Sequence, residues 1–247
     1  AGLARQGFRV CILEKSPLPR HKICGDLLGP RSLQFLLGLG VEWERFREEG
    51  FPIHGMRVYD ERRLKSVAFF DTGGNGNGLG MTLRRDRFDA FLQEHAVNAG
   101  CTLLRGVRFT EILGREEQRL HVRGTGVGGE TYDFHARMLL GADGVGSGVA
   151  RAAGLHRRLP EATIIAARGY YANVRGLREG IELYILPQFQ PGYAWVIPLD
   201  RDRANIGLGI RADRCSRNGL SIHKAFAHFL RKHPDLSSRM REAREIG

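Results

Sequence analysis

Apolar residues fall along this chain in two rhythms, and the places where one gives way to the other mark its elements. A short run, Phe8, Val10, Cys11, Ile12 and Leu13, predicts a buried strand that closes on Glu14, preceded by a helix over Ala1–Gln6 with Gly7 as its stop. Leu33, Leu36 and Leu37 share one face of a predicted helix from Pro30 to Leu39. Residues 55–60 and 64–70 then read as strands. From Arg84 to Ala99 the positions Phe88, Phe91, Leu92, His95 and Ala96 have helical spacing, and Gly100 ends it. Cys101–Leu104 is a core strand, and residues 108–113, 119–123 and 130–134 form an antiparallel meander with glycine turns between 124 and 129. Met138–Leu140 predicts a strand and Val149–Ala153 a helix. Beyond Gly154 the strands lengthen, over 164–171, 181–186, 192–198 and 203–210, and suggest one antiparallel sheet. Ser221 caps a last helix through Leu230, with Phe226, Phe229 and Leu230 on one face and Pro234 ending it.

Strand, glycine turn, helix is the context in which α/β folds hold a cofactor, and Gly141-Ala142-Asp143-Gly144-Val145-Gly146-Ser147 occupies such a turn. Its glycines let the backbone approach a phosphate or ribose, and the Asp143 carboxylate can accept hydrogen bonds from sugar hydroxyls. On residue types alone the run serves equally well as an ordinary turn. Glu14 favours the first reading, because a strand that closes on an acid is the second strand of a dinucleotide-binding unit, where the acid binds the adenosine ribose. That unit's glycine-rich turn lies ~20 residues before the acid. It is therefore expected ahead of residue 1, on a segment the sequence does not include.

In this order, Glu14, the helix opening Arg85-Asp86-Arg87-Phe88-Asp89, and the Gly-Ala-Asp-Gly-x-x-Ser turn followed by Arg151 resemble FAD-dependent oxidoreductases akin to aromatic hydroxylases. Within them, Pro19-Arg20-His21-Lys22-Ile23-Cys24-Gly25-Asp26, with its Lys-x-Cys-Gly, and Gly192-Tyr193-Ala194-Trp195-Val196-Ile197-Pro198, followed by Ala204-Asn205-Ile206-Gly207-Leu208-Gly209 as the next strand, resemble the geranylgeranyl reductase family. The resemblance implies an α/β fold: an incomplete Rossmann-like FAD-binding domain over 1–55 and 80–157, interleaved with an antiparallel-sheet substrate domain over 56–79 and 158–247. It implies FAD as cofactor, with Glu14, Lys15, Arg85, Asp143 and Gly144 binding it. Cys24 would lie near the flavin, donating a proton or shaping the pocket, and Tyr193 and Trp195, on one strand face, would line a substrate cavity. The implied reaction is hydride reduction of carbon–carbon double bonds in an isoprenoid lipid, with NADPH or another external reductant. A flavin monooxygenase or halogenase is the alternative; Tyr193-Ala194-Trp195-Val196-Ile197-Pro198 departs by one residue from the halogenases' Trp-x-Trp-x-Ile-Pro pattern. A further cofactor turn is expected beyond Gly247.

The 247 residues, 42% of them hydrophobic, suffice for a substantial core. Lys and Arg total 38 against 27 acids, a net charge of +11 carried mostly by arginine. The basic residues are dispersed, with no basic helix, zinc-finger spacing or RNA-stacking motif, so a nucleic-acid partner is not expected. Attraction to acidic lipid headgroups is a secondary use of that charge. Cys11, Cys24, Cys101 and Cys215 show no paired spacing, which argues against zinc or a disulfide framework and for a reducing, cytoplasmic setting. Cys11 and Cys101 are expected in the core. None of the nine histidines has metal-ligand spacing, no metal is expected, and Gly73–Gly78 reads as a linker.

Overall fold

The longer elements of the chain form where the apolar rhythm and the glycine stops direct. The computed structural model describes residues 1–17, 22–70, 79–157, 159–217 and 221–247; the Gly73–Gly78 linker lies outside them. The chain begins with α1 (Gly2–Arg5), β1 (Cys11–Glu14), β2 (Leu27–Leu28), α2 (Pro30–Gly38), α3 (Trp43–Glu49), β3 (Phe51–Ile53), β4 (Gly55–Tyr59) and β5 (Leu64–Phe69). It continues through β6 (Gly80–Thr82), α4 (Arg85–Asn98), β7 (Thr102–Arg105), β8 (Val107–Glu116), β9 (Arg119–Gly126), β10 (Thr131–Ala136) and α5 (Gly148–Ala152). The last third holds β11 (Ile164–Ala172), β12 (Ile181–Tyr184), β13 (Gly192–Pro198), β14 (Ala204–Arg211), α6 (Ala212–Arg217), α7 (Ile222–Lys232), α8 (Pro234–Arg239) and β15 (Arg244–Glu245).

Two compact units result, Ala1–Arg20 with Asp89–Arg158, and His21–Phe88 with Leu159–Gly247. The segment 21–55 thus groups with the long-stranded sheet. In the first unit β1 and β7 pair in parallel, Cys11 opposite Thr102 through Glu14 opposite Arg105, as an α/β crossover requires. The meander β8–β9–β10 is antiparallel, as its glycine turns direct. Two expectations are corrected here. Met138–Leu140 joins no described ladder, and Met138 and Leu140 are 70% and 63% exposed, because an apolar run becomes a strand only where a neighbour supplies backbone partners. Cys101 is buried, but Cys11 is exposed, because β1 has one ladder neighbour among the described residues and burial of both strand faces needs covering layers.

The second unit is built on a seven-stranded sheet in the order β15-β11-β14-β13-β12-β4-β5, antiparallel except where β4 meets β12. Alternation along β14 assigns its two faces. Ile206, Leu208 and Ile210, with Ala194 and Val196 of β13, pack under α7 through Ala225, Phe226 and Phe229. The hydroxyl of Ser221 accepts from the Lys224 amide and starts that helix. Asn205, Gly207 and Gly209 face the other way, beside Trp195 and Ile197, which pack with Ile53 and Ile181. A small sheet, β2-β6-β3, also belongs to this unit and places residues 22–28.

Candidate functional site

In the first unit, Glu14 stands at the carboxyl end of a parallel strand, the edge at which open α/β sheets take ligands. One of its carboxylate oxygens accepts from the Ser16 amide at 3.0 Å, which fixes the turn after the strand; Lys15 beside it is exposed. Asp143 is turned onto its own helix. It accepts from the Ser147 hydroxyl, from the Gly148 amide at 2.7 Å and from the Val149 amide at 3.2 Å, while Ser147 Oγ takes the Ala150 amide at 2.9 Å. These bonds satisfy the orphan donors of α5. Partial burial opposes ionisation of Asp143, but the Ser147 hydroxyl and the Val149 and Gly148 amides outweigh it and hold its pKa below the usual carboxylate range. Gly144 has φ +85°, and a β-carbon there would meet nothing within 4 Å. Its backbone is open, and Val145 beside it is 92% exposed.

Cys24, Arg85, Tyr193 and Trp195 belong to the second unit. Three of them meet in a buried polar cluster whose centre is Asp26 and Asn205, residues that lie in segments of the family resemblance without a role assigned to them. Asn205 is fully buried. Its side-chain amide donates to the Cys24 carbonyl at 2.6 Å and to Asp26 Oδ2 at 2.7 Å, and its carbonyl accepts from Trp195 Nε1 at 2.9 Å. Asp26, itself buried and with φ +61°, also accepts from the Arg85 backbone amide at 3.1 Å and the Tyr170 hydroxyl at 3.2 Å. Burial pushes the Asp26 pKa up, against the hydrogen bonds from Asn205 and Tyr170, the Arg168 charge and the Arg85 amide. The Tyr170 hydroxyl is raised in turn, first by burial and then by the Asp26 charge. The Arg168 guanidinium lies 4.0 Å from the Tyr170 ring centroid and donates to the Lys22 carbonyl at 3.2 Å.

Trp195 is nearly buried, whereas Tyr193 is 47% exposed, with ring centroids 6.0 Å apart. The shared face expected for the two aromatics is present. The signal for Asn205 was available, since an amide in the otherwise apolar run Ala204–Ile210 has to find partners inside. Nothing in the residue order named those partners.

FAD carries a pyrophosphate, ribose hydroxyls and a largely apolar ring system. The first unit offers a strand-end carboxylate, an open glycine backbone, and exposed apolar side chains at Met138, Leu140 and Val145, which fit those groups. These features make it an α/β unit of the dinucleotide-cofactor class. The chain belongs to the FAD binding domain family, which matches residues 1–217, and FAD is the cofactor of that family. The chain is 32% identical over 168 residues to a digeranylgeranylglycerophospholipid reductase of Methanosarcina acetivorans, covering 67% of this chain and 40% of the relative. Among solved structures, a geranylgeranyl bacteriochlorophyll reductase-like protein of Thermoplasma acidophilum superposes with a TM-score of 0.83 at 23% identity, over 99% of this chain and 59% of that one. A flavin-dependent brominase, Bmp2, superposes with a TM-score of 0.78 at 21% identity, over 99% and 61%. The chain therefore spans less than two thirds of each. The reductase relative agrees with the family resemblance drawn from Lys22–Gly25 and Gly192–Pro198, while the two superpositions speak for the fold.

Proposed function

We propose that the protein is an FAD-dependent reductase that saturates carbon–carbon double bonds in the prenyl chains of a lipid. The observation that carries this reading is the junction at Asn205. The two segments that mark the reductase resemblance, at Cys24-Gly25 and at Trp195, are held together by one buried amide, and the reductase named above is a relative 32% identical to this chain over 168 residues. Bound here, FAD would supply hydride chemistry toward one alkene carbon, with NADPH or another two-electron donor as its reductant and a proton needed at the other carbon. Tyr193 and Trp195 present apolar surface to a prenyl chain and keep water from it. Cys24 Sγ is our assignment for the proton. Glu14 binds the adenosine ribose, Lys15 and Arg85 offer positive charge to the phosphate side, and Asp143 acts through its turn by holding the Gly144 backbone open.

Two experiments test this. In the full-length protein, Glu14→Ala should lower FAD affinity about ten- to a hundredfold, the worth of one hydrogen bond to a charged group. Asp143→Ala should weaken FAD through loss of the α5 cap. Unchanged flavin content in both would remove the site assignment. Chemically reduced full-length enzyme, incubated without oxygen with geranylgeranyl lipids, should add hydrogens in pairs, read by mass. An oxygen-dependent hydroxylated or halogenated product, with no anaerobic saturation, would instead establish the monooxygenase or halogenase alternative.

A further inference from the structure

We infer that Asn205 is a positioning residue for Cys24, and that Asp26 is the counterpart that holds Asn205 to this task. The inference rests on the proposed reductase function for its meaning, but its geometry stands alone. The segment Cys24-Gly25-Asp26 is pinned at three successive residues. The Cys24 carbonyl takes one amide proton of Asn205 and the Asp26 carboxylate takes the other. Between them Gly25 lies so close to β13 that an added β-carbon would stand 2.9 Å from Ile197 Cδ1.

A primary amide has two donors and a carbonyl, and here all of them are used inside the protein. The carbonyl is held by Trp195 Nε1 at 2.9 Å, which prevents the amide from flipping and so fixes which end faces Cys24. Asp26 accepts three donors, from Asn205, Tyr170 and Arg85, and a carboxylate has acceptor sites for all of them. Removing the Asn205 donors would leave the Cys24 carbonyl without this partner and the loop free to carry the thiol away from its place. Asn205 has no exposed surface, so it acts through Cys24 and does not itself touch substrate.

The pair can be reversed, and the reversal separates positioning from scaffolding. In the double variant D26N/N205D, residue 205 still accepts from Trp195 and now accepts from the new amide at 26. The new amide's carbonyl can still take the Tyr170 hydroxyl and the Arg85 backbone amide. The count of buried charges is unchanged; the bond to the Cys24 carbonyl is lost, and a carboxylate oxygen now faces that carbonyl and pushes it away. Asn205→Asp alone sets two carboxylates against each other and should lower the Tm; the double variant should regain most of it.

The readout is the rate at which iodoacetamide alkylates Cys24, followed by peptide mass in the full-length protein, beside kcat and KM for the reduction. Cys24 alkylation should be about tenfold faster in both variants than in the wild type, the factor expected for one buried hydrogen bond of ordinary strength. In the double variant kcat should fall with little change in KM. Wild-type alkylation and kcat in the double variant would overturn the inference. So would a double variant that stays as unstable as Asn205→Asp, because the amide would then be scaffolding. Thiol reactivity is measured without substrate, so a protein that reduces no prenyl lipid would defeat the proposed reaction while leaving this test readable.

Discussion

Replacing Arg239 by methionine should destabilise the protein by about 3–5 kcal/mol, the usual result of leaving a buried charge without its partner. Arg239 grips Glu182 through two bonds, of 2.7 and 3.1 Å, and reaches Asp235 at 2.9 Å and the Arg175 carbonyl at 2.8 Å. The Arg239 side chain is 12% exposed and that of Glu182 only 4%. The buried Tyr184 hydroxyl lies within hydrogen-bond reach of the same two carboxylates, at 2.8 and 3.0 Å, so a single network ties α8 to β12. Burial opposes the Arg239 charge, yet the bonds to Glu182 and Asp235 win and raise its pKa.

Without Arg239, Glu182 would be a buried anion without its cation. The double variant Glu182→Leu/Arg239→Met removes both charges and should recover most of the loss, with Tyr184 still bonded to Asp235. Urea unfolding of the wild type and the two variants checks this; a double variant no better than Arg239→Met would refute it.

How much of this architecture could be read in advance depended on what each element needs beyond itself. β13 and β14 were legible because a period of two names the residues that share a face, and Tyr193 and Trp195 do share one. The helix at Ser221 was legible because its cap, its apolar stripe and its proline stop agree. β2, β3 and β6 were not, since two or three residues carry no period. α3 was missed because Trp43–Glu49 is mostly charged and buries Phe46 alone. Met138–Leu140 and Cys11 went the other way: their residues suit a buried strand, but burial depends on neighbours that no local pattern reports. The same limit applied at the site. Cys24 and Trp195 stood out by their motifs, whereas Asn205, which joins them, is a single amide whose meaning lies in partners distant along the chain.

The face that carries this junction also sets its least tolerant position, and Gly207→Ala should cost about 2–5 kcal/mol, an overpacked core site plus a buried donor left unpaired. Gly207 lies opposite Trp195 in the β13–β14 ladder and opposite Arg168 in the β11–β14 ladder. An added β-carbon would overlap the indole ring and stand 2.8 Å from Arg168 Cβ. Both obstacles are held: the indole by its bond to Asn205, the Arg168 stem by its own strand. The ring would therefore have to leave its place, breaking the Trp195–Asn205 bond and releasing the amide that fixes Cys24. Gly207→Ala should thus unfold at lower urea than the wild type and also alkylate faster at Cys24. Replacing the indole by a smaller side chain, as Trp195→Leu, removes the overlap. The double variant Gly207→Ala/Trp195→Leu should then be destabilised by less than the two single losses added together, a coupling that residues in direct contact must show. Strict additivity would mean that the indole does not rest on Gly207.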